Sequence, residues 1–206
     1  MKSLKLSFLA LAVMLLLAGQ AKADDIDFQV SATVPLANGV SITAVEVDAA
    51  TNTFGSEVNE LDFDPLTFDA TNNIYVADHY YAIDVGSTGG AGSPDVTVTY
   101  TEGSKPSGQT NGLGYKATAT FVKIEVDEDG DETQTEMSAH GPTQVLKDLT
   151  GEDVDSDELE DAFLRLYVGL VTGDDEDVLD DGGEPFTNAD KPGSYDGTLT
   201  ISATVS

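Results

Sequence analysis

Two stretches far apart in the chain alternate apolar and polar residues one for one. Ile26, Phe28, Val30, Ala32 and Val34 interleave with Asp27, Gln29, Ser31 and Thr33, and Leu199, Ile201, Ala203 and Val205 interleave with Thr198, Thr200, Ser202 and Thr204. Alternation with period two sends successive side chains to opposite faces of an extended strand, so each stretch predicts a strand with one buried face. A helix needs apolar residues three and four apart, and neither stretch supplies that spacing.

The chain between them repeats the pattern in shorter pieces. Val40, Ile42 and Ala44 follow an Asn38-Gly39 turn, and the change of phase to Val45 and Val47 predicts a bulge. Leu61, Phe63, Leu66 and Phe68 are interrupted by Pro65, which places that segment at an edge or splits it. Residues 75–85, 96–100 and 115–126 are three further β-rich runs, with glycine-rich connections at 86–94 and 103–114. Of Tyr80 and Tyr81, adjacent on one strand, one is expected in the core. Leu164, Leu166, Val168 and Leu170 alternate with Arg165, Tyr167 and Gly169, predicting a strand. Before it, Asp155 as a cap with Glu158 three residues on predicts a short helical turn near 157–163. Seven to nine short strands and almost no helix imply an all-β chain, an antiparallel β-sandwich of immunoglobulin-like or Greek-key type, with a jelly roll or barrel as alternatives.

Residues 1–23 have the three zones of a secretory signal peptide. Lys2 and Lys5 precede an apolar run over 6–18 broken only by Ser7, and Ala21 and Ala23 set cleavage after Ala23. The run is shorter than the roughly 20 residues of a membrane span, and no cysteine follows to accept a lipid, so no membrane anchor is expected. The mature chain, Asp24 to Ser206, is expected to be a single β-sandwich domain that is secreted to the periplasm, the cell surface or the exterior. It keeps 6 of the 9 basic residues and all 38 acids, a formal charge of 6 − 38 = −32. That field disfavours nucleic acid and anionic membrane surfaces as partners. The lack of cysteine removes disulfides, cysteine-bound zinc and thiol nucleophiles from consideration.

Acid-rich segments are the main candidates for chemistry. Glu125, Asp127, Asp129, Asp131 and Glu136, with Gly130 at the turn, fall near the spacing of a twelve-residue calcium loop. Glu125 stands where aspartate is usual and Glu132 where an apolar residue is usual. The preferred reading is therefore a hairpin whose Asp129-Gly130 pair supplies the turn. Asp153, Asp155 and Asp157, and the acids from Asp174 to Asp181, lack a complete ligand pattern and read as solvated loops. His79 and His140 have no metal-binding spacing, and an Asp78-assisted His79 base would need a nucleophile that the sequence does not offer. With 38 acids, some pair must come close, so paired carboxylates give no specific support for a glycosidase.

The alternating strand after the leader, the Leu61-Asp62-Phe63 segment, and Pro192-Gly193-Ser194-Tyr195-Asp196-Gly197 leading into the last strand resemble bacterial fimbrial and spore-coat-U-like subunits in layout. The resemblance implies an immunoglobulin-like module that polymerises when the N-terminal segment of one subunit completes the sheet of another. Here Ile26, Phe28, Val30, Ala32 and Val34 would be the donated row. The same residues serve equally as the first strand of a self-complete sandwich. The expectation is a non-enzymatic structural or adhesive surface module whose partners are other copies of itself or related surface subunits. It has no required cofactor, and calcium is the one candidate ion. A calcium-binding extracellular sandwich module is the alternative, and a carboxylate hydrolase a distant third.

Overall fold

The computed structural model describes residues 28–33 (as backbone), 39–89, 91–141, 143–172 and 182–205. The leader, Ile26, Val34 and the whole of the 174–181 acidic run lie outside these residues. The described strands are β1 (Phe28–Thr33), β2 (Val40–Asp48), β3 (Thr53–Val58), β4 (Thr67–Asp69), β5 (Ile74–Val76), β6 (His79–Ser87) and β7 (Asp95–Glu102). They continue with β8 (Ala117–Val126), β9 (Glu132–Glu136), β10 (Thr143–Val145), β11 (Thr150–Val154), β12 (Ala162–Leu170), β13 (Phe186–Thr187) and β14 (Tyr195–Thr204). Only short 3₁₀ turns interrupt them among the described residues.

Three sheets result. A four-stranded sheet runs β1-β14-β7-β11, a seven-stranded sheet runs β10-β8-β12-β6-β2-β3, and a small sheet runs β13-β5-β4. In the large sheet β9 also pairs with β8, and β9 and β10 share one edge of that strand: β9 faces residues 122–126 and β10 faces 118–120. The two larger sheets pack face to face as an all-β sandwich, with the core between them. From the large sheet, Tyr81, Ile83 and Val85 of β6, Ala119 and Phe121 of β8, and Leu164, Leu166 and Val168 of β12 enter that core. From the other side come Val96 and Val98 of β7 and Tyr195, Leu199 and Ile201 of β14. Alternation selects them, since each set occupies every second position of its strand.

The large sheet is apolar on both faces. Val47, Ala82, Val122, Ile124 and Tyr167 form a second buried cluster, flanked by Val45, Tyr80 and Phe163, from the alternate positions of the same strands. This changes the reading of β2. Its pairing with β6 runs unbroken from Val40 to Asp48, so Val45 and Val47 change face by simple alternation. A bulge does occur between Val45 and Val47, but in the pairing with β3. Tyr81 enters the core and Tyr80 stays half-buried on the outer face, as expected for neighbours on one strand.

Other departures have local causes. Residues 75–85 are two strands in different sheets, because the chain breaks at Ala77-Asp78. The strand count exceeds nine because β3 and β9 are almost wholly exposed and β4, β10 and β13 are two or three residues long, so they carry little apolar signal. The helical turn lies at Ser156–Leu159, slightly earlier than predicted, and Glu158 accepts the Asp155 N–H at 3.1 Å. The sandwich is also not wholly antiparallel, since β1 pairs with β14 in parallel.

Candidate functional site: the β1–β14 edge and the acidic clusters

β1 lies at the edge of the four-stranded sheet, and β14 is its one partner there. The register sets Phe28 opposite Tyr195, Val30 opposite Gly197 and Ala32 opposite Leu199. Tyr195, Gly197 and Leu199 are buried. Of the five residues in the expected donor row, three therefore stand beside the inward-facing positions of the last strand. Beyond β14 the ladder continues antiparallel into β7, where Leu199 faces Tyr100 and Ile201 faces Val98. Without β1, the backbone N–H and C=O groups on one side of β14 would lose their partners, leaving an edge open to another strand.

The five residues of the predicted calcium loop are not gathered around one point. Asp127 is the hub of a tight hairpin turn: its Oδ1 accepts the N–H groups of Asp129 and Asp131, each at 2.9 Å, and its backbone bonds Gly130 and Asp131. Gly130 has φ of 87°, the left-handed conformation that glycine adopts without steric cost. Glu125 pairs with Thr133 in the ladder, whereas Glu136 pairs with Val122, three positions further along. Among the described residues no group of three or more His, Cys, Asp or Glu side chains could hold a metal ion. Asp153 accepts the Thr97 hydroxyl at 2.6 Å, and Asp155 caps the 3₁₀ turn, so two acids of the second cluster have structural contacts.

Both histidines are tied down. His79 Nδ1 lies 2.7 Å from Asp78, while Nε2 lies 2.6 Å from the Asp62 carbonyl and 3.1 Å from the Tyr81 hydroxyl. Tyr81 completes the clasp, accepting the Asp62 N–H at 2.8 Å and donating to the Asp62 carbonyl at 2.5 Å. Burial pushes the Tyr81 phenol up to about 12. The group fastens the segment through Leu61 and Phe63 to β6, with both ring nitrogens of His79 already engaged. His140 lies between Glu152 of β11 and Glu158, each 3.0 Å from one ring nitrogen. Burial opposes its charge, but the hydrogen bonds and charges of the two carboxylates outweigh it and raise its pKa. This three-element clamp was missed in the sequence, where the three residues are separated by unrelated segments.

The outer face of the large sheet carries a buried cation. Arg165 makes a fork to Asp84 at 2.6 and 2.8 Å and reaches Glu132 of β9 at 2.8 and 3.3 Å. Its guanidinium lies 4.9 Å from the Phe54 ring centre and 5.4 Å from that of Phe163. Beside it is an open groove of about 570 Å³ lined by Thr43, Gly86, Ser93, Glu160 and Phe163, among others. No family model matches the chain, and neither a curated protein nor a solved structure matches it.

Proposed function

We propose that this protein is a secreted, non-enzymatic structural module of the cell exterior, and that its first strand can be exchanged between copies. The observation that carries the reading is the parallel pairing of β1 with β14 at a sheet edge. The segment is short, alternates apolar and polar residues, and belongs to the end of the chain opposite its partner strand. A second copy presents the same six residues and the same edge. The ladder formed between copies would therefore have the same hydrogen bonds and register as the ladder within one copy. Free energy then favours the closed form at low concentration, when the local segment is always near. It favours the exchanged form when copies are concentrated on a surface. The high negative charge keeps mature copies apart in solution and is screened in a salty exterior, which suits assembly outside the cell.

The native chain has no cysteine, so a single engineered pair reports on the ladder without interference. Ser31 and Thr198 face each other in the register. Replacing both, Ser31→Cys with Thr198→Cys, and oxidising at rising protein concentration gives covalent dimers and longer ladders on a denaturing gel if strands exchange. Intramolecular closure at every concentration, together with a strictly monomeric wild-type chain by light scattering, would refute the reading. A peptide spanning residues 26–34 adds a check that needs no truncation, since it should compete with interchain crosslinking.

A further inference from the structure

Lys116 is the buried lysine of the described chain, with a side chain 5% exposed. It precedes β8, directly after a 3₁₀ turn, and points across to the segment joining β13 to β14. Its Nζ lies 3.2 Å from Asp190 Oδ2, 3.2 Å from the Pro185 carbonyl and 3.7 Å from Glu184 Oε2, and it sits 5.4 Å from the Phe186 ring centre. Asp190 is itself buried, at 8%, while Glu184 is 61% exposed. The Asp190 carboxylate is held from two further sides: Gln109 Nε2 donates to Oδ1 at 2.6 Å, and the Thr187 N–H donates to Oδ2 at 2.8 Å. Asn111 Nδ2 anchors Glu184 Oε2 at 2.8 Å.

We propose that Lys116 and Asp190 condense into an intramolecular isopeptide bond, with Glu184 as the proton carrier. An amine and a carboxyl held within about 3–3.5 Å, screened from water and fixed by neighbouring bonds, have the proximity that turns a slow bimolecular condensation into an intramolecular one. Transfer of one proton from the Lys116 ammonium through Glu184 to Asp190 leaves a neutral amine beside a carboxylic acid. A water-poor site narrows the advantage that an ion pair has over this neutral pair. The Nζ lone pair then attacks the Asp190 carboxyl carbon, forming the N–C bond. The negative charge that develops on the carboxyl oxygens falls where Gln109 and the Thr187 N–H already donate. Glu184 takes a second proton from nitrogen and returns it to the departing hydroxyl. The C–O bond breaks and one water leaves; no oxidant, nucleotide or metal enters the balance. The product ties the start of β8 to the approach of β14, giving a cysteine-free chain a covalent staple between its two large sheets.

Intact-mass spectrometry on the purified mature protein, denatured before injection, decides the matter. The wild-type chain should weigh about 18 Da less than its sequence, the mass of one water, and proteolysis should release the peptides holding Lys116 and Asp190 as one linked species. Asp190→Asn should still close, with a loss of about 17 Da as ammonia. Glu184→Gln preserves the ion pair and should accumulate the full-mass form. A wild-type chain at full mass, with Lys116 and Asp190 recovered in separate peptides, would overturn the proposal and leave the pair a buried salt bridge. That result comes from the wild type alone, so misfolding of a variant cannot obscure it.

Discussion

Replacing Arg165 by methionine tests the energetics of the outer face. The substitution keeps length and apolar bulk while removing four hydrogen bonds, two to Asp84 and two to Glu132. Breaking a buried ion pair by deleting one partner costs about 3–5 kcal/mol when the other stays buried. Here Asp84 is 32% and Glu132 42% exposed, so both can take up water after the change, and about 2 kcal/mol is the better figure. The two ring contacts are each worth about 0.5 kcal/mol, and a methionine thioether against the same rings recovers much of that. For a domain of this size each kcal/mol moves the midpoint by roughly 2–4 °C, so Arg165→Met should lower Tm by about 4–8 °C. Urea unfolding should give a matching drop with unchanged m-value. Hydrogen exchange should show the amides of 132–136 opening first, since β9 is exposed and the Glu132–Arg165 pair reinforces its ladder with β8. Glu132→Gln spares the Asp84 fork and should cost less than half as much. An Arg165→Met chain within about 0.5 kcal/mol of wild type would refute the view that this cation holds the hairpin in place.

Three further outcomes follow from local geometry. The folded pKa of His140 is raised above its unfolded value, so its contribution is complete below about pH 6.5 and is lost as pH rises through the folded pKa. Stability measured at pH 6 and pH 8.5 should fall more for wild type than for His140→Gln, and equal slopes would show that the clamp does not titrate as described. Since His79 is raised in the same direction, part of the wild-type slope should survive in that variant. Tyr81→Phe removes the hydroxyl that serves both Asp62 backbone groups and should cost about 1–2 kcal/mol in chemical denaturation; no cost would mean that His79 alone holds the loop. Asp127→Ala deletes both side-chain bonds of the β8–β9 turn and should cost about 1 kcal/mol equally in calcium and in chelator, whereas a calcium-dependent difference would revive the ion-loop reading.

Strands with a regular apolar alternation were legible in the sequence, whether they bury one face, as β14 does, or both, as β12 does. β14, β12 and β2 sit where alternation puts them, and the Asp155–Glu158 signature located the 3₁₀ turn to within a residue or two. Exposed strands were legible only where a turn announced them. Asp129-Gly130 implied the β8–β9 hairpin, but β9 itself reads Glu-Thr-Gln-Thr-Glu without an apolar pattern, and its extent depends on the edge of β8 and on the charge that Arg165 offers Glu132, neither of which is local information. The two-faced character of the large sheet was hidden for a related reason: Val45 and Val47 look like a slip in phase until the strands beside β2 place a second apolar cluster there. The Lys116–Asp190 pair could not have been anticipated, because 74 residues separate its members and contacts distant in sequence, such as Glu184 N–H to the Tyr115 carbonyl and Lys116 to the Pro185 carbonyl, bring them together. The direction of β1 was equally invisible, since alternation says which face a strand buries and nothing about which way it runs.

A sheet that is apolar on both faces loses the usual guard against misalignment. In β12 the odd positions carry Phe163 and Tyr167 and the even ones Leu164, Leu166 and Val168, so sliding the strand by one residue would exchange one greasy set for another at modest cost. Arg165 breaks that near-equivalence. In the slipped alignment its charge would point between the sheets, far from Asp84 and Glu132, among Phe121, Ile83 and Leu199. One cation thus acts as the notch of a key, admitting a single alignment of the central strand and, through it, of every strand laid beside it.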